Sequence, residues 1–335
     1  MDEFGNPKKL ISPDALRELS MKSDGPAVAR LFAHFAALTG TGLLVWSATG
    51  TAWVIPAMFI HGVFVVFLFT PHHECIHQTA FKSPWLTKIV NWVLGLIVFY
   101  PPEYFRFFHL THHRFTQDRE RDPEIVPPPV TSRAGYIWWV LGAPYLKRRF
   151  SGSLKHALTG RVPQPFVPDH RKDEIVLEAR ITWVVYTIVA VVAAATEPWA
   201  PVLYWLGPYV LAQPLFRLYQ LGEHGGTEYS ANTIRNTRTT ISNRFVRWLA
   251  WNMPYHTEHH LYPGVPFHAL PKLHQLVKAQ LQIVSSGYLA LNWDIWNGLA
   301  PSVQARDITV QAPWTARQGS ETSHAAQRET EKANG

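Results

Sequence analysis

Histidine residues occur in four short clusters whose spacing suits a metal centre. The segments HECIH, HLTHH and HTEHH each place two or three imidazoles three or four positions apart, and a further histidine stands in EHGG. Positions i, i+3 and i+4 share one face of an α-helix, so each segment would present its imidazoles together. The candidate metal ligands are His73, His77, His109, His112, His113, His224, His256, His259 and His260.

The segment HECIH alone also matches H-E-x-x-H, the helical zinc signature of many metalloproteases. A catalytic zinc takes three protein ligands and keeps one position open, which leaves both H-x-x-H-H segments and His224 without a role. Nine imidazoles, at about four or five per ion, suit two ions, and imidazole binds zinc, copper, iron and nickel. Of these metals, iron offers O₂ chemistry, and Glu74 would then orient a ligand instead of activating water. A membrane zinc protease and a non-enzymatic metal carrier remain alternatives of different chemistry.

The elements that must position these histidines include membrane spans. Of the 335 residues, 47% are hydrophobic and 16% are charged, and the apolar residues are concentrated in long stretches. Residues 27–49 and 51–70 form one apolar pair, and residues 180–196 and 199–219 form another; a span needs about 20 apolar residues. The sequence therefore predicts an all-α protein with four transmembrane helices in two hairpins. The turn within each pair carries no Lys or Arg, which disfavours the alternative of buried helices in a soluble domain.

Two further apolar segments, 88–102 and 135–146, are short for a span, and we expect re-entrant or interfacial helices there. The division predicted along the chain is a flexible N-terminus over 1–25, a membrane domain over 26–300 and a flexible tail over 301–335. Cys75 is the single cysteine, which excludes an intrachain disulfide.

Charge predicts the orientation of the spans. The formal net charge is +7, and most of the Lys and Arg residues lie between the two apolar pairs or after the second. By the positive-inside rule both termini and the middle region face the cytoplasm, and so does every histidine cluster. The basic residues do not form the aromatic-interleaved patch of a nucleic-acid-binding protein, so no nucleic acid partner is expected.

The three segments HECIH, HLTHH and HTEHH resemble the histidine boxes of the membrane fatty acid desaturase-like superfamily, over about residues 30–285. The resemblance implies a cytoplasmic helical cap that holds a non-haem di-iron centre, with the nine histidines above as ligands and O₂ as co-substrate. It implies oxidation of a lipid hydrocarbon chain, with fatty acyl desaturation favoured. Hydroxylation or alkene-forming decarboxylation of a carotenoid, alkane or fatty acid remains open within the same superfamily.

The sequence contains no Gly-rich dinucleotide-binding segment, no C-x-x-C-H and no cluster of four cysteines. The two electrons that the reaction needs would therefore come from a ferredoxin, a rubredoxin or a cytochrome b5-like protein with its reductase. The basic run Lys147-Arg148-Arg149 is a candidate docking surface for such an acidic partner. The resemblance to bacterial members implies a multi-pass protein of the bacterial inner membrane.

Several other polar residues near the boxes have open roles. Asp122 and Glu258 are candidates for orienting metal-bound imidazoles. His72 and Asn252 are undecided additional ligands, and the segment NTRTT at 236–240 would either bind a polar head group or cap a helix. His34 and His61 lie inside predicted spans, where we expect hydrogen bonds between helices.

Overall fold

The computed structural model describes residues 10–125, 130 and 132–299, and this part of the chain is mostly helical. A 3₁₀-helix over Asp169–Arg171 and a π-helix over Val202–Leu206 lie between the α-helices. The α-helices are α1 Pro13–Leu19, α2 Asp24–Ala48, α3 Val54–Phe67, α4 Phe69–Ile76, α5 Pro84–Ile97, α6 Pro102–Phe115, α7 Arg133–Val140, α8 Ala143–Thr159, α9 Lys172–Ala195, α10 Gly207–Leu211, α11 Gln213–His224, α12 Thr233–Asn236, α13 Arg244–Leu249, α14 His256–Leu261, α15 Leu270–Val277 and α16 Tyr288–Gly298.

Three helices in the described part of the chain are long and apolar enough to cross a membrane. They cover Asp24–Ala48, Val54–Ile76 and Asp169–Ala195. Large apolar side chains on two of them are exposed, among them Phe32 on α2 and Val184 on α9. A contiguous apolar surface of this kind is typical of contact with lipid. The chain is therefore a membrane protein with three candidate spans.

The fourth predicted span, 199–219, is not one long apolar helix. The apolar portion, Val202–Leu211, has 10 residues and is about 15 Å long at 1.5 Å per residue, half of a bilayer core. Pro208 and Pro214 lack the backbone N–H that a continuous helix needs, and the chain is divided there into the π-helix, α10 and α11. The structure does not confirm four spans, and the two-hairpin topology stays a prediction.

Two histidines inside the apolar helices join neighbouring elements, as expected from the sequence. His34 Nε2 of α2 lies 2.8 Å from the carbonyl oxygen of Phe64 on α3. His61 of α3 contacts Thr41 Oγ1 of α2 at 2.8 Å and the carbonyl oxygen of Tyr204 at 3.1 Å. These hydrogen bonds fix the packing of α2 against α3.

The short apolar segments form short helices. Helix α5 ends at Ile97, before Pro101 and Pro102, and Gly142, with φ of 73°, separates α7 from α8. In the predicted flexible N-terminus, the described residues include helix α1, whose Leu19 is buried. Residues 1–9 and 301–335 lie outside the described residues, and the domain boundaries stay predictions.

Two carboxylates fix the starts of α5 and α6, the helices that follow the first histidine segment and carry the second. Glu178 of α9 accepts hydrogen bonds from the backbone N–H groups of Glu103 and Tyr104, at 2.7 and 3.0 Å, in the first turn of α6. Asp24 of α2 accepts hydrogen bonds from the N–H and hydroxyl of Ser83, at the start of α5. The first N–H groups of a helix have no partner within the helix, so these contacts fix where α5 and α6 begin.

The described residues also contain one pair of strands, a departure from the predicted all-α fold. Thr239–Thr240 pairs in parallel with Val284–Ser285. The main hydrophobic core lies beneath the histidine segments and includes Trp251 and Phe267, whose rings are 4.4 Å apart. Packing around such large buried rings makes this end of the molecule a rigid support.

Candidate metal centre

The nine candidate histidines come together from four helices. Helices α4, α6 and α14 carry the three segments HECIH, HLTHH and HTEHH, and α11 ends at His224. Five imidazoles form a first group, whose ligand atoms lie within 4.8 Å of one another: His73, His77, His109, His113 and His259. His112, His224 and His260 form a second group, which His256 joins through a 3.0 Å contact with His224.

Each H-x-x-H-H segment contributes to both groups. His109 and His113 belong to the first group, whereas His112 belongs to the second. Likewise His259 and His260 separate between the two groups. Consecutive residues on an α-helix point about 100° apart around its axis, so two adjacent histidines face different neighbours. The sequence predicted that each H-x-x-H-H segment presents three imidazoles to one site. The imidazoles do lie at the centre, but each segment divides them between the two groups.

Ring nitrogens within each group approach one another directly. In the first group, His109 Nε2 lies 2.9 Å from His77 Nε2 and 3.0 Å from His113 Nε2. In the second group, His224 Nε2 lies 3.1 Å from His112 Nε2. A neutral imidazole carries one N–H, so three converging nitrogens cannot all be paired by hydrogen bonds. Convergent lone pairs of this kind are the arrangement that a metal cation requires.

Several ring nitrogens at the site are buried without a hydrogen-bond partner. They include both nitrogens of His259, Nε2 of His260 and Nδ1 of His73. Buried polar atoms are nearly always paired, and an unpaired one costs about 1–3 kcal/mol. A metal ion would supply the missing partner, so the residues present fit nitrogen-ligated metal ions. Rings from the two groups are adjacent: His113 and His260 stack with centroids 3.9 Å apart.

Protein groups orient three imidazoles of the second group. His224 Nδ1 lies 3.0 Å from the carbonyl oxygen of Asn236, which accepts its N–H. His260 Nδ1 lies 3.2 Å from Thr116 Oγ1, and His112 Nδ1 lies 3.0 Å from a carboxylate oxygen of Asp122. With Nδ1 protonated in each ring, Nε2 keeps its lone pair for a metal ion.

The surroundings favour neutral imidazoles at most positions. Burial, and after it the neighbouring imidazoles, lower the pKa of His109 and His113 well below the usual value. At His112 burial also lowers the pKa, but the carboxylates of Glu124 and Asp122 outweigh it and raise the pKa to about 9. Metal binding needs the unprotonated nitrogen, and the first group already favours that form.

Asp122 contacts a candidate ligand, as the sequence suggested, whereas Glu74 and Glu258 do not. Glu74 Oε1 accepts hydrogen bonds from Thr79 Oγ1 at 2.7 Å and from the N–H of Phe267 at 2.9 Å. Its position between His73 and His77 on α4 turns its side chain away from both, so the prediction that it orients a ligand is wrong. The same geometry disfavours a protease base.

Glu258 pairs with His274 of α15 and accepts a hydrogen bond from Thr239 Oγ1 at 2.5 Å. The expectation that it orients a ligand is therefore wrong, since its helix neighbours His259 and His260 face the other way. His274 is buried and stacks on Tyr255. This cluster joins α14 to α15 and to the first strand.

The two undecided ligands have other contacts. His72 packs against Phe105, with ring centroids 5.1 Å apart, and belongs to neither group. Asn252 donates its side-chain N–H to the carbonyl oxygen of Phe267 at 2.9 Å. Cys75 is buried and also belongs to neither group.

The segment NTRTT holds the centre together, a role that the sequence reasoning missed. Asn236 is buried; its carbonyl oxygen accepts from His224, and its side-chain amide donates to the carbonyl oxygen of Thr116 at 3.0 Å. Thr116 in turn contacts His260. A run of small polar residues has no hydrophobic periodicity that would predict its position. Its role in orienting His224 depends on the burial of Asn236, which the sequence does not reveal.

Non-glycine residues with positive φ flank all three boxes. Gln78 follows HECIH with φ of 58°, Gln117 follows HLTHH with φ of 63°, and Trp251 and Asn252 precede HTEHH with φ of 50° and 60°. Such conformations are unfavourable for residues with a side chain and persist where surrounding contacts enforce them. They end or begin the short helices abruptly, so that the imidazoles face inward.

Only part of the basic run at 147–149 is exposed on the surface. Lys147 and Arg148 are exposed. Arg149, however, lies over the rings of Tyr100 and Tyr145 at 3.7 and 3.9 Å, and its Nε and one Nη are buried. Arg149 is therefore not part of the predicted docking surface, which keeps Lys147 and Arg148.

Comparison with known proteins agrees with this geometry. The profile of the fatty acid desaturase family matches residues 51–290. A dihydrorhizobitoxine desaturase of Bradyrhizobium elkanii is 28% identical over 296 residues, which cover 79% of this chain and 77% of the relative. A sphingolipid delta(4)-desaturase of Drosophila melanogaster is 25% identical over 285 residues, covering 79% and 82%. An sn-1 oleoyl-lipid 12-desaturase of a Picosynechococcus species is 22% identical over 251 residues, covering 67% and 69%.

The matched region contains all nine histidines and extends from the second apolar helix to the start of α16. The two groups of imidazoles supply the ligand chemistry that a di-iron enzyme of this family needs. The chain belongs to the fatty acid desaturase family and is a membrane-bound di-iron oxidoreductase.

Proposed function

We propose that this chain binds two iron ions through the nine histidines and uses O₂ to introduce a double bond into the acyl chain of a lipid. The observation that carries the proposal is the pair of adjacent, inward-facing groups of imidazoles in a chain of this family. Neutral nitrogen ligands suit iron, and a pair of such sites in contact suits a two-electron oxidation. When held by these histidines, iron would supply the O₂-dependent oxidation of two neighbouring C–H groups.

The protein's part in this reaction is positioning. Protein groups contact Nδ1 of His112, His224 and His260 and thereby orient the three rings. Their Nε2 atoms then face the same position, where a metal ion would bind. Burial of His73, His109 and His259 limits the access of water to the first group, where it would compete with O₂ or intercept a reactive species. Trp251 and Phe267 form the packed support behind HTEHH.

A lipid chain is the favoured substrate. Two of the three relatives above are named for lipid substrates, an oleoyl lipid and a sphingolipid, and the third is named for dihydrorhizobitoxine. The exposed apolar surfaces of α2 and α9 place the chain in a lipid environment. Hydroxylation and alkene-forming decarboxylation would use the same centre, and the product masses separate them.

The electrons would come from an external donor. Desaturation takes two hydrogens from the substrate and two electrons and two protons from elsewhere, and it reduces one O₂ to two waters. A ferredoxin, a rubredoxin or a cytochrome b5-like protein with its reductase would supply the electrons, docked near the exposed Lys147 and Arg148.

The proposed topology has the metal centre on the cytoplasmic side of a bacterial inner membrane, with both termini cytoplasmic and two membrane hairpins. The concentration of Lys and Arg between and after the apolar pairs supports this orientation.

Lipid profiling tests the proposal. The wild-type chain and a His112→Ala variant are produced in a bacterium that lacks a desaturase, and the acyl chains are compared by mass spectrometry. We expect wild-type cells to accumulate chains lighter by two hydrogens and His112→Ala cells to accumulate none. His170→Ala is the matched control, because His170 is exposed in the 3₁₀-helix Asp169–Arg171 and belongs to neither group.

Chains that gain one oxygen, or alkenes shortened by one carbon, would assign the chain to hydroxylation or decarboxylation instead. Full activity of His112→Ala would refute the ligand assignment. Purified wild-type protein that contains one zinc per chain would refute the di-iron proposal.

A further inference from the structure

A second site with a different chemistry lies at the end of the first apolar helix. A cavity of about 370 Å³ opens between the start of α2, helix α13 and the start of α15. Its lining includes Arg30, Arg244, Arg247 and His268, and it contains no acidic residue. The volume is within the range of small-ligand pockets, about 300–1,000 Å³.

The arginines of this pocket have no carboxylate partner. None of the ion pairs between described residues involves Arg30, Arg244 or Arg247. Arg30 donates to the carbonyl oxygen of Arg247 at 3.4 Å, and Arg247 donates to the carbonyl oxygen of Ser242 at 3.0 Å. Each guanidinium has five N–H groups, so most of these donors stay available to a bound anion. Guanidinium groups match the paired oxygens of phosphate better than other cations do.

The local field is positive. Burial lowers the pKa of His268 most, and the positive charges of Arg30 and Lys272 lower it further. Its Nε2 is buried without a hydrogen-bond partner among the described residues. A ligand that reaches this ring would meet the guanidinium groups of α2 and α13 that line the pocket. The pocket is therefore selective for an anion.

The position of the pocket favours a lipid as the source of that anion. Helix α2 begins at Asp24, so Arg30 lies about 9 Å along a candidate span, near its end. Beside Arg244 on α13, Phe245 is 55% exposed and stacks on Trp248, which lines the pocket. A cationic pocket with an exposed aromatic rim at the end of a span suits a head group with apolar chains beside it. A flat acidic protein surface would not enter this concave pocket.

The pocket is close to the third histidine box. Thr70 Oγ1 of α4 donates to the carbonyl oxygen of Leu249, at the end of α13, at 3.2 Å. Tyr255, which lines the pocket, directly precedes His256. An occupied pocket would thus stabilise the segment that leads into HTEHH.

We propose that this pocket binds the phosphate group of an anionic membrane lipid. The inference concerns binding and stands independently of the reaction at the metal centre. Arg244 would contact the phosphate from the outer edge of the pocket, and Arg30 and Arg247 from its walls.

The test uses purified full-length protein in a non-ionic detergent and measures binding of dioctanoyl phosphatidic acid by calorimetry. We expect Arg244→Gln to weaken binding about tenfold, as for loss of one charge-assisted hydrogen bond, and Arg244→Lys to restore part of it. Arg244 is exposed and its side chain makes no hydrogen bond with the described residues, so its substitution leaves the fold intact. Arg161→Gln, which replaces an exposed arginine on the loop after α8, is the matched control and is expected to bind as the wild type does.

Two further ligands identify the anion and its source. Dioctanoylglycerol, which lacks the phosphate, is expected to bind at least about tenfold more weakly than the phosphatidic acid. Equal binding of the two would overturn the phosphate assignment. Inorganic phosphate that binds as tightly as the lipid would overturn the lipid assignment, and unchanged affinity in both Arg244→Gln and Arg30→Gln would overturn the site itself.

Discussion

Replacement of Asp122 by Asn should selectively weaken metal binding by the second group. Asp122 is 1% exposed, and its carboxylate accepts from His112 Nδ1 at 3.0 and 3.1 Å. It also accepts from the backbone N–H of Gln117 at 2.8 Å and of Glu124 at 2.9 Å. Three donors therefore converge on the two charged oxygens, and one of these donors is Nδ1 of a proposed iron ligand, His112.

The magnitude follows from these contacts. A hydrogen bond to a charged group contributes about 1.5–3 kcal/mol, and the asparagine amide removes the charge. Asn keeps a single acceptor oxygen, so at least one of the three donors faces the new NH₂ group. Loss of an outer partner of a metal-bound histidine typically costs about 10–100-fold in metal affinity or activity. The first group makes no contact with Asp122 and should keep its affinity.

The assay is iron content per chain, measured by mass spectrometry after dialysis against increasing chelator concentrations. We expect wild-type protein to release two irons together and Asp122→Asn to release one at about 10–100-fold lower chelator concentration. Glu120→Gln is the matched control, because it removes a carboxylate from an exposed position of the same loop. The reasoning fails if Asp122→Asn retains both irons as the wild type does, or if both are lost in parallel from a folded protein.

Two further substitutions test the site and the fold. Glu74→Gln should keep iron and reduce turnover less than about tenfold, because the amide oxygen can still accept from Thr79 and Phe267; a protease base would lose about 10²–10⁴-fold. Gly62→Ala should destabilise the protein by about 3 kcal/mol, since its added Cβ would lie 2.0 Å from the carbonyl oxygen of Pro208. Gly40→Ala, with no atom within 4 Å of the added Cβ, should be neutral or raise the unfolding temperature, and equal effects of the two would contradict the packing of α3 on α10.

Features with a local signal were predictable from the sequence. Uninterrupted apolar stretches predicted both ends of α2 and the C-terminal end of α9, because length and hydropathy decide such elements. The start of α9 was missed, since the helix begins at Lys172 in a segment with several charged residues, before the apolar stretch at 180. The spacing within HLTHH and HTEHH indicated helices, and both segments are helical. The convergence of the imidazoles agrees with the prediction that every cluster lies on the same side of the membrane, near the ends of apolar helices.

Features that depend on tertiary contacts were not predictable. The acceptor for His224 Nδ1 is the backbone carbonyl of Asn236, 12 positions away. Every residue has a backbone carbonyl, so the residue type does not indicate which one accepts the hydrogen bond. Glu258 has the spacing of an orienting carboxylate, yet His274 occupies it from another helix. Val202–Leu211 is apolar enough for a span, but the proline positions and the π-helix decide its length.

The division of adjacent histidines between the two groups has a mechanical consequence. His112 and His113 are neighbours on α6, and His259 and His260 are neighbours on α14, so each of these helices contributes to both proposed iron sites. A rotation of α6 about its axis would displace imidazoles of both groups together, so the backbones of α6 and α14 set the separation between the two groups. Glu178 fixes the start of α6, and Trp251, Asn252 and the Glu258–His274 pair fix α14. The polar contacts that fix these two helices thus determine the separation between the two proposed iron sites, on which a two-electron oxidation of one O₂ would depend.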